Sequence, residues 1–267
     1  MNKEMTQEER LDYLVEKFVA DSQDYKGMPI PDDIDEKERI LRSLMNIRMP
    51  RAMDKDVVDI QDEYLRGRIQ EIGVVGLGDI PLRRGCLSLW QGDITRLEVD
   101  AIVNAANSQM LGCFVPMHTC IDNCIHTFAG IELRQECYQK MKELRGRFGE
   151  NYEQPTGIPM LTDAYNLPAK KVIHVVGPIV EYGLTPEIEG ELAKCYRNVL
   201  DLCLANNLRS VAFCCISTGV FGFPNKPASR IAVKTGEEWL LDHPNGMDRV
   251  IFNVFKNEDR RYYEELL

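Results

Sequence analysis

The chain has 267 residues, 44% hydrophobic and 28% charged, with 13 prolines and a net charge of −10, which excludes a disordered chain and supplies a buried core. No run approaches the roughly twenty apolar residues of a membrane span, and the start, MNKEMTQEERLDYLVEKF, reads as neither a secretory signal nor a transit peptide, so a cytoplasmic protein without membrane contact is expected. An acidic chain lacking any basic run is also unsuited to nucleic acid, where phosphate neutralisation supplies the affinity, although backbone amides can still hold a small anion.

Residues 1–80 carry most of the excess negative charge and read as a helical extension. Thr6 opens a capping box with Glu9, and Leu11, Leu14, Val15, Phe18 and Val19 follow at helical spacing. A second helix is expected over 32–45 and a third over 57–72. No chemically active cluster stands out in this part, so packing, a lid or a partner contact is its expected work.

From about Leu82 the pattern changes to short apolar runs separated by turns and amphipathic stretches, which sets a second domain at 81–267. Strands are expected at 87–90, 101–103, 158–162, 172–176, 211–216 and 250–255, with helices over 121–142, 187–206, 228–241 and from Asp259. Alternating strands and helices imply layered α/β architecture with a mixed, largely parallel sheet, whose ligands bind at the carboxyl ends of the strands.

Three segments following such strands carry candidate chemistry. Gln91-Gly92-Asp93-Ile94-Thr95 turns tightly and offers a carboxylate to an exocyclic amine. Asn104-Ala105-Ala106-Asn107-Ser108 sets two amides around small residues that let a sugar approach. Cys215 to Pro224 forms a glycine-bearing loop between a strand and a helix, which aims amides at a phosphate. Each alone is also an ordinary turn.

All nine cysteines lie from Cys86 onward, an odd number that argues for reduced thiols or metal ligands rather than disulfides. Cys113, His118 and Cys120 supply two thiolates and an imidazole within one loop, a set that suits Zn2+ and leaves a fourth position open. Cys124, one helical turn beyond Cys120, would convert this into a closed structural site, and buried thiols without metal are the remaining alternative. His126 is expected as a hydrogen-bonded helix residue, and His174 as a satisfied strand histidine.

Taken together, GDIT at 92–95, VNAANS at 103–108, IDNCIH at 121–126 and ISTGVFGFP at 216–224 resemble the macrodomain family of ADP-ribose-binding modules, over roughly residues 82–267. A loop with Cys113, His118 and Cys120 stands where hydrolytic macrodomains usually carry a glycine run. That loop and the helical extension are similar to the zinc-dependent bacterial macrodomains, which remove ADP-ribose from modified proteins.

The resemblance implies a three-layer α/β/α macrodomain acting as a hydrolase of mono-ADP-ribosylated proteins, from an acidic side chain, with Zn2+ as cofactor. It implies Asp93 at the adenine amino group, the Ile94 backbone and Phe255 beside the adenine, and Ser217, Thr218, Gly219, Val220 and Phe221 around the diphosphate. Asn107 would hold the distal ribose, with Asp122 on the same side as a positioning or acid/base group. Family members are often encoded beside a sirtuin-like transferase and a lipoyl carrier protein, which names a possible substrate. A reader that binds ADP-ribose without cutting it, its zinc purely structural, is the competing expectation.

Overall fold

Three helices form the N-terminal part of the structure, a computed structural model that describes residues 5–267: α1 (Gln7–Asp21), α2 (Ile34–Ile47) and α3 (Lys55–Ile72). The capping box closes as its residue types demand, with the Glu9 amide donating to Thr6 Oγ1 at 3.2 Å and the Thr6 amide to Glu9 Oε2 at 2.7 Å. The apolar stripes of the three helices then bury one another, Leu11, Leu14 and Phe18 against Leu41, Leu44, Tyr64 and Leu65.

Strands β1 (Val75–Gly76) and β4 (Leu97–Glu98) pair in parallel as a small separate ladder. The main sheet is built from β2 (Leu82–Arg84), β3 (Leu87–Gln91), β5 (Ala101–Ala106), β6 (Met160–Asp163), β7 (Lys171–Val176), β8 (Ser210–Phe213) and β9 (Arg249–Val254). Their order is β2-β3-β9-β8-β5-β7-β6, parallel except at the two antiparallel edges. Five helices cover it: α4 (Ile121–Ala129), α5 (Ile131–Phe148), α6 (Pro186–Ala205), α7 (Asn225–Asp242) and α8 (Asn257–Glu264).

Register decides which side chains meet which layer. Asn104 pairs with His174 and Ile102 with Ala212, so these face one way, toward α4 and α5. Phe213 pairs with Phe252 and faces the other way, where Tyr196 of α6 and Tyr263 of α8 extend an aromatic chain. The result is a three-layer α/β/α sandwich with helices α1–α3 added on the α4 side, where α2 packs on α4.

The expected helix over 121–142 breaks in two at Gly130, whose φ is +100°. A Cβ there would meet the Gln61 and Asn166 amide nitrogens at 2.8 and 3.0 Å. Gln61 of α3 uses that room to accept a hydrogen bond from the Ile131 amide at 3.0 Å and to donate to Glu132 Oε2 at 3.0 Å. Asn166 donates to Asp62 Oδ1 at 2.7 Å and to the Ala129 carbonyl at 2.9 Å. Burial and the neighbouring Asp62 carboxylate push the Glu132 acid up.

The strand expected at 211–216 stops at Phe213, where its pairing with β9 ends, whereas the strand at 101–103 runs on through Ala106. β1, β2 and β4 were not anticipated, being two or three residues long and without an alternating pattern. Among the described residues no helix is long and apolar enough to cross a membrane.

Candidate functional site

Four neighbouring parallel strands, β3, β9, β8 and β5, end on one edge of the sheet; β3, β8 and β5 deliver the three segments singled out from the sequence and β9 delivers Phe255. After β3, Asp93 caps a short 3-10 turn, its Oδ1 accepting from the Thr95 amide at 3.0 Å and the Thr95 hydroxyl at 2.7 Å. One carboxylate oxygen is thus spent on the turn and the other left for a ligand. Ile94 beside it is buried as a whole residue, 1% exposed. Phe255 follows β9 and is 77% exposed, and the Gly92 amide bonds to the Val254 carbonyl at 3.0 Å, which holds the two segments side by side.

The loop after β8 is folded by its own backbone. Ser217 has φ +64°, its carbonyl accepts from the Phe223 amide at 3.0 Å, and the Gly222 amide bonds to the Gly219 carbonyl at 3.0 Å. Among the described residues the amides of Gly219, Val220 and Phe221 donate to no other backbone group, as an anion cradle requires. The buried Ser217 hydroxyl also lacks a partner. A Cβ at Gly177 would stand 2.0 Å from that hydroxyl, so glycine there is what lets the loop settle. Thr218 behaves differently from its neighbours, its amide and hydroxyl both donating to the Cys215 carbonyl at 3.4 and 3.0 Å. It shapes the turn rather than offering its hydroxyl.

Beyond β5, the Asn107 side chain donates to the Gly112 carbonyl at 3.1 Å and to Asp122 Oδ2 at 3.3 Å. Asp122 sits in the first turn of α4, and Asn104 Nδ2 donates to its Oδ1 at 2.7 Å. Burial pushes the Asp122 carboxyl up to about 6, against the opposing pull of the Asn104 hydrogen bond and the Arg134 charge.

Asn104, which the sequence offers beside Asn107 as an amide for a sugar, is instead wholly buried and turned onto Asp122, a role the sequence reading missed. Its amide also reaches His174 Nδ1 at 3.0 Å, which makes Nδ1 the acceptor and leaves the proton on Nε2, facing Thr162 Oγ1 at 3.0 Å. Burial drives the His174 pKa down to about 3, so the ring stays neutral and the network keeps one arrangement. His126 departs from expectation: it is buried on α4 and neither ring nitrogen has a hydrogen-bond partner, with Asp122 Oδ1 3.6 Å from Nε2.

The loop between β5 and α4 brings Cys113, His118 and Cys120 together, with their ligand atoms within 4.8 Å of one another and Cys113 Sγ 3.5 Å from His118 Nδ1. A tetrahedral zinc ion with its usual bond lengths separates a thiolate and an imidazole nitrogen by about 3.6 Å, so the residues fit that metal. Cys120 is the N-cap of α4, its sulfur accepting from the Asn123 amide at 3.4 Å, and the helix end favours a thiolate there. Without a cation, burial and the neighbouring Cys113 hold the Cys120 thiol up at about 12. Cys124 stands outside the cluster, with the Arg42 guanidinium 3.8 Å from its sulfur.

Comparison with known proteins gives this geometry a family. The Macro domain model matches residues 103–232. A protein-ADP-ribose hydrolase of Treponema medium is 47% identical over 267 residues, covering 98% of this chain and 100% of its own. A protein-ADP-ribose hydrolase of Staphylococcus aureus (strain MSSA476) is 39% identical over 258 residues, 96% of this chain and 94% of its own. Among solved structures, the Trypanosoma brucei macrodomain in complex with ADP-ribose superposes with a TM-score of 0.63 at 31% identity, covering 84% of this chain and 94% of that one. With a relative 47% identical over its whole length and a solved macrodomain of the same fold, the chain belongs to the macrodomain family.

Proposed function

We propose that the chain is a protein-ADP-ribose hydrolase that removes mono-ADP-ribose from an acidic side chain and works with a zinc ion held by Cys113, His118 and Cys120. One observation carries the reading. Across β3, β9, β8 and β5 the strand ends present Asp93 and Phe255, then the 217–221 loop, then Asn107 with Asp122. Those groups suit adenine, diphosphate and ribose, in the order in which ADP-ribose joins them, across three strand spacings or about 14 Å.

Asp93 accepts the adenine amino group with its free oxygen, while the amides of Gly219, Val220 and Phe221 take the diphosphate. The unpartnered Ser217 hydroxyl is available to the same anion. At the far end Asn107 holds a ribose hydroxyl, and Asp122 orders Asn107 and stands ready to take a proton from the water that adds to the anomeric carbon as the side-chain carboxylate leaves. Cys113 directly follows Gly112, Cys120 lies two residues before Asp122, and His118 clusters with both cysteines, so the metal ligands and the ribose contacts share one corner. When bound, zinc supplies Lewis-acid polarisation of an oxygen ligand and a lowered pKa for bound water.

The test is release of ADP-ribose from a mono-ADP-ribosylated protein by the purified chain, before and after chelation, with metal content measured alongside. Release that chelation abolishes and zinc restores is the expected result. Binding of ADP-ribose without release would favour the reader, and release indifferent to chelation would remove zinc from the reaction. Esters of acidic side chains are cleaved by neutral hydroxylamine, so a substrate prepared with and without such linkages tests the acidic side chain. A mono-ADP-ribosylated lipoyl carrier protein is the first substrate to try.

A further inference from the structure

The geometry points to the N-terminal helix α2 as part of the metal centre: Arg42 and Asn46 act as positioning residues that hold the Cys113–His118–Cys120 loop in its ligand-ready shape. This rests on the zinc reading of that loop and goes beyond it, because it gives the N-terminal helices a share in the chemistry.

The loop has little regular structure of its own, and its polar backbone groups are held largely from outside. Arg42 Nη2 donates to the His118 carbonyl at 2.8 Å and to Asn123 Oδ1 at 3.1 Å, joining a ligand residue to the first turn of α4. Asn46 Oδ1 accepts from the Met117 amide at 3.0 Å, while its Nδ2 donates to Thr127 Oγ1 at 2.8 Å. Met117 sits at φ +58°, a conformation that a residue other than glycine rarely adopts unless its surroundings enforce it. The bond to Asn46 falls on that residue, one position before His118.

Two further side chains complete the frame. Asn123 Nδ2 donates to the Val115 carbonyl at 3.0 Å, so the residue that Arg42 grips also grips the loop. Arg134 Nε donates to the Leu111 carbonyl at 2.8 Å while its Nη1 donates to the carbonyls of Met45, Asn46 and Arg48 at 3.0, 2.8 and 2.8 Å. One guanidinium therefore ties the start of the metal loop to the end of α2. Three ligands taken from one short loop would otherwise have to be ordered at the moment of binding, and partners that orient ligands beforehand reduce that cost.

The experiment uses the full chain in five forms: wild type, Arg42→Ala, Arg42→Lys, Asn46→Ala, and Arg39→Ala as a control on an exposed site of the same helix. Two readouts are taken. The first is the rate at which zinc-loaded protein releases metal to excess chromophoric chelator, and the second is amide hydrogen exchange of residues 113–119 in metal-free protein. Arg42→Ala and Asn46→Ala should release zinc about 10- to 100-fold faster, the usual cost of removing an outer partner of a metal ligand. Both should speed exchange in 113–119, with Arg42→Lys partly recovering and Arg39→Ala unchanged. ADP-ribose affinity of the metal-free variants should stay at the wild-type value, which separates loop positioning from loss of fold. Should Asn46→Ala fail to fold, the half-buried Arg42 carries the test alone. Wild-type exchange and release rates in Arg42→Ala would overturn the proposal. A wild-type chain that holds no zinc, with exchange still faster in the variants, would refute the zinc reading and uphold the brace.

Discussion

Replacing Asn104 by alanine should slow ADP-ribose release while leaving ADP-ribose binding intact. Asn104 is wholly buried behind Asp122, and its amide donates to Asp122 Oδ1 at 2.7 Å and to His174 Nδ1 at 3.0 Å. A hydrogen bond to a buried carboxylate contributes about 1.5 to 3 kcal/mol. If that energy orients Asp122 during bond cleavage, its loss corresponds to about a 10- to 150-fold fall in rate at 1.36 kcal/mol per decade. Asn104→Asp, which sets a second carboxylate against the same oxygen, should cost more than alanine. The assay is single-turnover release of ADP-ribose from a mono-ADP-ribosylated protein, beside calorimetric titration of free ADP-ribose and a melting curve. A folded Asn104→Ala that releases at the wild-type rate would refute the reasoning. An equal loss of affinity and rate would place Asn104 on the ligand instead of behind Asp122.

Asp93→Ala should weaken ADP-ribose binding by about 1.5 to 3 kcal/mol through loss of one charge-assisted hydrogen bond, with zinc content unchanged; titration of the variant checks both. Cys120→Ser should lose zinc and Cys124→Ser should keep it, since Cys124 stands beside Arg42 and outside the ligand cluster; equal loss in elemental analysis would support the closed site. Glu132→Gln should flatten the pH dependence of stability. Burial and Asp62 raise Glu132 from 4.5 to about 7, so its contribution is complete below about pH 4.5 and is lost as pH rises through 7. Discounted for partial exposure, the variant should gain on the order of 1 kcal/mol over wild type at pH 8 and nothing at pH 4.5, as read by denaturant unfolding at the two pH values.

The strand-borne turns were legible because each couples an apolar run to glycine or asparagine within a few residues, a strictly local signal. The glycine at 130 was readable in principle, since a lone glycine in a helical pattern marks a break, but the pattern on either side masked it. Asn104 was readable as well: it takes the inward position two residues after Ile102 on an otherwise apolar strand face, where a polar residue needs a partner. Arg42 and Asn46 were not. Their contacts lie 71 to 82 residues away along the chain, and an arginine and an asparagine on an amphipathic helix read as solvated positions until the fold is known.

Gly130 carries a consequence for descent. Its missing side chain is the room in which Gln61 reaches the Ile131 amide, so the glycine and the helix that bears Gln61 form one inherited unit although 69 positions separate them. A lineage that shed the N-terminal helices would lose one of the reasons to keep glycine at this place, with the positive φ and the Asn166 amide still favouring it. One that kept them would find every replacement purged, because any side chain there wedges the two layers apart. Another residue after the IDNCIH helix should therefore be found only in chains that lack the N-terminal helices.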